Sequence, residues 1–162
     1  MRHDDPLGEA PCSVLRRPAR ISRYRMCFLR LVAVPGIGPT IATATIAAIG
    51  NGAAFKKGRG FAAWLGVVPG EHSTGGKQKL TGTSRRGNKY LRKLFVQGAH
   101  AVLQFRTQQD PGLRAWLERL AARKRPQVTA VALANKMARM AWAVLYKGEA
   151  YRPPLAAQRV AA

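Results

Sequence analysis

The sequence predicts a mainly α fold, a compact helical domain with a Gly-rich irregular loop or small hairpin near its middle. Three observations support this. Apolar residues recur at helical spacing along several long segments. Those segments are punctuated by Pro or Asn where they begin and by Gly where they end. Hydrophobic residues make up 47% of the 162-residue chain, enough for one buried core.

Residues 1 to about 22 show no periodicity. Pro6, Gly8, Pro11 and Pro18 interrupt them and Arg16, Arg17 and Arg20 charge them, so an arm without fixed structure is expected, with 1–30 as an unmatched leading segment. Tyr24 to Val34 is apolar-rich and reads as a short helix. It leads into Val34-Pro35-Gly36-Ile37-Gly38-Pro39, a tight turn whose last proline is placed to start a helix over Thr40 to Ile49, closed by Gly50. A short helix is expected around Arg59 to Leu65, closed by Gly66, then an extended piece at Val67-Val68-Pro69. Glu71 to Thr83, centred on Gly75-Gly76, reads as the loop or irregular hairpin. Asn88 is placed to cap a helix reaching about Phe105, with Leu91, Leu94, Phe95, Gly98, Val102 and Phe105 on one face. Asp110-Pro111 reads as N-cap and first residue of a helix to Arg123. Pro126 breaks the chain, and a last helix runs from about Val128 to Tyr146, stopped by Gly148. A frayed tail is expected over 153–162. Trp64, Trp116 and Trp142 could stack on bases, yet each lies in a helical pattern and is expected in the core.

The charge narrows the function classes. There are 28 Lys and Arg against seven Asp and Glu, a formal net charge of +21. A domain this basic repels itself unless a polyanion is near, and nucleic-acid phosphate is the usual one. No apolar run approaches the length of a membrane span, so no membrane partner is expected. Cys12 and Cys27 stand in no metal-ligand spacing, so neither a zinc site nor a disulfide framework is expected, and the cytoplasm is the expected compartment.

Three constellations could carry chemistry. In Pro35 to Pro39, Gly36 and Gly38 let the backbone approach another molecule, and the N–H groups opening the next helix, near Thr40, could hold a phosphate. The pattern resembles a helix-hairpin-helix motif, and reads equally as a ligand-free turn. From Lys56 to Lys93 the chain holds ten Lys or Arg, among them Lys56, Lys57, Lys77, Lys79, Arg85, Arg86, Lys89 and Arg92, against the single acid Glu71. A solvated face usually mixes signs, so these residues, with Asn88, are expected to position phosphates without reading bases. Finally, Glu71-His72-Ser73-Thr74-Gly75-Gly76-Lys77 sets a serine in a Gly-rich loop beside a histidine and a lysine, with Lys77, Lys79 and Arg85 able to face phosphate oxygens. Taken alone it reads first as an exposed loop with an incidental serine, since neighbours in sequence need not meet in space.

The order of the motifs adds a resemblance. Pro35-Gly-Ile-Gly, Phe61-Ala-Ala-Trp-Leu-Gly-Val-Val-Pro69, His72-Ser-Thr-Gly-Gly-Lys77, Arg85-Arg-Gly-Asn-Lys-Tyr-Leu-Arg92 and Ala132-Leu-Ala-Asn-Lys-Met-Ala-Arg139 follow one another. In this the chain resembles the C-terminal domain of the insertion-sequence one-ten transposases, recombinases guided by a structured bridge RNA, over residues 31–152. The resemblance implies DNA and a structured guide RNA as partners, a possible homo-oligomer, and Ser73 as the nucleophile that becomes attached to the DNA backbone. It also implies an N-terminal nuclease-like domain whose carboxylates hold divalent metal. Before Leu31 this sequence offers only Asp4, Asp5 and Glu9, so a truncated copy is expected, with no metal or other cofactor of its own and no strand transfer by itself. The rival reading is a non-enzymatic DNA- or RNA-binding module.

Overall fold

The computed structural model describes residues 18–71, 73–77 and 80–153. The expected arm over 1–17, His72, Lys79 and the tail from residue 154 lie outside the described residues. The elements are α1 (Pro18–Val32), α2 (Pro39–Ile49), α3 (Gly58–Leu65), β1 (Pro69–Glu71), β2 (Leu80–Thr83), α4 (Lys89–Gln104), α5 (Pro111–Ala121) and α6 (Pro126–Lys147), with a 3-10 turn at Arg106–Gln108. The fold is mainly α, as the sequence predicts.

Helix α6 forms the centre. Thr129, Ala130, Leu133, Ala134, Met137, Ala138, Ala141, Val144 and Leu145 are buried along it, and α1, α3, α4 and α5 all pack against it. Its inner face carries Ala130, Ala134, Ala138 and Ala141, which let neighbouring helices approach closely. The larger side chains come from the partners: Phe61 and Leu65 of α3, Leu91 and Phe95 of α4, Leu113 and Leu117 of α5, all 1% exposed or less. Each such side chain stabilises the fold by roughly 1.5–3 kcal/mol relative to leaving it in water. The buried hydroxyls of Thr45 and Thr129 donate to the carbonyls of Ile41 and Arg125 one turn back, so neither is left unpaired.

Helix boundaries follow the local chemistry, with three corrections. Helix α1 starts at Pro18, so residues 18–30 of the expected arm are helical, packed through Cys27 and Phe28. Pro126 starts α6 instead of breaking the chain, because its fixed φ and missing N–H suit a first turn. Asp110 precedes α5 but its side chain makes no capping hydrogen bond. Asn88 does cap α4, accepting from the Leu91 N–H at 3.0 Å. The tryptophans sit at the rim: Trp64 is exposed, while Trp116 and Trp142 lie half-buried against the core. Phe105, expected on the inner face of α4, is also exposed.

Candidate nucleic-acid interface

The loop around Gly75-Gly76 is an irregular hairpin. Strands β1 and β2 pair antiparallel, Pro69 with Thr83 and Glu71 with Leu80, with a slip between the two pairs. Beyond them Thr74 bridges to Lys77 around Gly75 and Gly76. Both glycines have positive φ, 59° and 75°, the backbone that a two-residue hairpin turn requires and that L side chains resist. The base of the hairpin is tied to the body through buried Val67 and a hydrogen bond from the Ser84 N–H to the Val68 carbonyl, 2.9 Å.

Ser73, Thr74, Gly75, Gly76 and Lys77 are all exposed on this arm. Ser73 and Glu71 are two residues apart, so in extended chain their side chains share a face. The Ser73 hydroxyl donates to Glu71 Oε1 at 2.5 Å. A carboxylate in that position orients the hydroxyl and can accept its proton.

The Arg85-Arg86-Gly87 corner seats the basic stretch. It lies directly on the end of α3: a side chain at Gly66 would overlap the Arg86 carbonyl, and one at Gly87 the Trp64 carbonyl. Arg85 holds φ 53°, in the left-handed region that a non-glycine residue adopts at a cost of about 1–2 kcal/mol. Arg92 braces the corner, its Nη1 donating to the carbonyls of Arg85 (2.8 Å) and Leu65 (3.3 Å). That guanidinium is therefore half-buried and engaged with the protein, whereas Arg85, Arg86 and Lys89 are exposed. Asn88, between them, is occupied as the helix cap.

The glycine turn divides. Gly36, with φ 79°, faces inward: a side chain there would meet Met137 Cε and Val102 Cγ2, both at 2.7 Å, and the Gly98 carbonyl at 2.9 Å. Its small size serves the contact with α4. Gly38 faces open space and precedes α2 without a side-chain cap, and Thr40 is exposed in the first turn. Lys56 and Lys57 are exposed just before α3. Lys57 and Arg59 share a groove with Lys136, Arg139 and Lys147 of α6. These three α6 cations were missed from the sequence. Their spacings of three and eight residues place them on one helix face, a signal that was available. Among the described residues one ion pair forms, Arg114 with Glu118, on the surface. The cations named here are thus left without carboxylate partners among the described residues.

Among the described residues no helix is long and apolar enough to cross a membrane. Comparison with known proteins places this geometry in context. The profile of the Transposase IS116/IS110/IS902 family matches residues 29–114. A probable family 20 transposase of Pseudomonas aeruginosa is 49% identical over 124 residues, 76% of this chain and 37% of the relative. A putative transposase of Sinorhizobium fredii, y4pF/y4sB, is 44% identical over 154 residues, 93% of this chain and 40% of the relative. An alignment that long reaches into residues 1–30, so the leading segment is not wholly unmatched. The transposase for insertion sequence element IS1328 of Yersinia enterocolitica is 41% identical over 122 residues, 75% of this chain and 36% of the relative. The chain thus spans well under half the length of these relatives. With a family match over more than half of its residues, the chain belongs to the IS116/IS110/IS902 transposase family.

Proposed function

We propose that this chain is the DNA-contacting part of an insertion-sequence transposase, and that Ser73 is the nucleophile that attacks the DNA backbone. The observation that carries the reading is the pairing of an exposed Ser73 hydroxyl with the Glu71 carboxylate on a projecting hairpin. Ser73 Oγ attacks the phosphorus of a phosphodiester while its proton passes to Glu71. The bond from phosphorus to one deoxyribose oxygen breaks, and that oxygen leaves as a hydroxyl, taking its proton from solvent water. The serine–phosphate ester keeps the energy of the broken bond, so the reverse attack by a strand end rejoins DNA without an outside energy source.

The groups around the hairpin suit that task. Gly75 and Gly76 let the arm lie close to a strand, and Lys77, Arg85, Arg86 and Lys89 present positive charge to phosphate oxygens. Lys56, Lys57 and the open first turn of α2 at Gly38 and Thr40 extend the positive surface. A structured guide RNA would use the same phosphate chemistry. Among the described residues no three His, Cys, Asp or Glu side chains gather into a metal-binding group.

The test places this chain in the corresponding segment of the longer Pseudomonas aeruginosa relative and supplies insertion-end DNA. A covalent protein–DNA species is expected, lost in Ser73→Ala and kept in Thr74→Ala, with DNA affinity unchanged in both. An adduct that survives Ser73→Ala would overturn the assignment.

A further inference from the structure

We propose that the groove between the start of α3, α5 and the outer face of α6 is a second nucleic-acid site, which takes the phosphodiester backbone of an unpaired strand. The groove has a volume of about 920 Å³. Five cations line it, Lys57, Arg59, Lys136, Arg139 and Lys147, and no acidic residue does.

Its architecture is held by packing. A side chain at Gly58 would meet Trp142 Cε3 at 3.1 Å and the Arg139 backbone at 3.3 Å, so the start of α3 packs closely on α6. Trp142 is itself anchored, its Nε1 donating to the Gly52 carbonyl at 3.0 Å and its ring stacked on Tyr146 at 4.8 Å. On the opposite wall Trp116 of α5 carries the Lys136 ammonium over its ring, 4.4 Å from the centroid. Trp116, Met140 and Ala143 line the groove together with the cations, so it offers an apolar floor as well as positive charge.

That combination fits a single strand better than a duplex. Phosphates meet the cations, while the exposed sugars and bases of an unpaired strand cover the aromatic and aliphatic floor. A duplex keeps its base faces stacked inside and would leave that floor uncovered. Burial first, and then the nearby Arg139 and Arg119, lower the Lys136 pKa from its ordinary value.

The groove is also continuous with the hairpin. Ala132 and Asn135 of α6 line both it and an adjoining hollow of about 440 Å³ under Thr81, Gly82, Thr83 and Arg85. A strand leaving the groove would pass Asn135 and reach the hairpin base. That this strand is the one Ser73 attacks rests on the function proposed above; the groove's binding does not.

The test measures anisotropy of labelled unpaired DNA, unpaired RNA of the same sequence, and duplex DNA with the purified chain across a salt series. One variant carries Lys57→Gln, Arg139→Gln and Lys147→Gln; a control of equal charge carries Arg106→Gln, Arg123→Gln and Lys124→Gln. The groove variant should bind unpaired strands at least about tenfold more weakly than the control, with the salt slope reduced by about 2, near 0.7 per lost contact. The DNA and RNA arms decide which nucleic acid supplies the strand. Equal loss in the two variants, no loss in either, or a loss of duplex binding as large as the loss of unpaired-strand binding would overturn the proposal. Should the triple variant misfold, acetylation mapping of the unaltered chain replaces it. Lys57, Lys136 and Lys147 should be protected by an unpaired strand, and their continued acetylation would overturn it. Ser73→Ala should bind like wild type, so failure of the serine chemistry and failure of the groove read out separately.

Discussion

Gly98 lies inside α4, where an alanine would ordinarily gain about 1 kcal/mol from helix propensity. The packing predicts the opposite sign. A methyl group at Gly98 would overlap the carbonyl oxygen of Gly36 and approach Ile41 Cδ1 at 2.9 Å and Met137 Cε at 3.2 Å. Side-chain ends can turn aside, but the Gly36 carbonyl belongs to a turn pinned by the Val34 to Leu31 and Ile37 to Val34 hydrogen bonds, 2.9 and 3.0 Å. Overpacking costs roughly 1–3 kcal/mol, and a backbone neighbour places this site at the upper end. Set against the propensity gain, Gly98→Ala should lose about 2 kcal/mol net, or roughly 4–8 °C in Tm for a chain of this size. The control is Gly60→Ala in α3, where the added methyl meets only Phe55 Cδ1 at 3.8 Å. It should gain roughly 0.5–1 kcal/mol. Thermal unfolding by circular dichroism, paired with denaturant midpoints, reads both. A Gly98→Ala protein that melts above wild type would refute the reasoning and free Gly36 from its packing role.

Three further outcomes follow from the same geometry. Asn88→Ala should lose about 1 kcal/mol by denaturant unfolding through the missing cap, while Asn88→Asp keeps most of it. Arg92→Lys should lose roughly 1–2 kcal/mol, since the shorter lysine side chain does not carry its ammonium to the position from which Arg92 Nη1 donates to both the Leu65 and Arg85 carbonyls; stability equal to wild type would contradict the brace. Lys136 gives a pH dependence. Its lowered pKa means that the folded chain sheds this proton more readily than the unfolded one, so its contribution to stability rises with pH until the ordinary lysine value is passed. A phosphate in the groove favours the charged form. Calorimetry at alkaline pH in buffers of different ionisation heat should therefore show proton uptake on strand binding, absent in Lys136→Gln.

Much of the fold was legible because each helix carries its own punctuation. Gly50, Gly66 and Gly148 end helices, and Asn88 begins one, for reasons confined to a few neighbouring residues. The misreadings arose where the cause is distant. Pro126 reads as a break unless α6 is seen to start there. The tryptophans read as core because helical spacing identifies the stripe that faces inward but not its edge. Gly36 reads as a place for close approach, and it is one, but the neighbour is Gly98, about sixty residues further on. The groove was hidden for the same reason: Lys57 and Lys147 line one groove because the chain at Gly58 packs closely on the backbone of α6. The serine hairpin was legible as a motif, whereas the Glu71 contact needed the strand geometry that puts both side chains on one face.

The most direct measurement is binding of the purified chain to duplex DNA and to structured RNA across a salt series, with Lys77, Arg85 and Arg86 changed together to Gln. The account predicts steeply salt-dependent binding that weakens at every salt concentration in the triple variant, with a shallower salt slope. Absence of binding at low salt, or binding indifferent to those three residues, would contradict the claim that the hairpin and its basic corner form a phosphate-gripping surface.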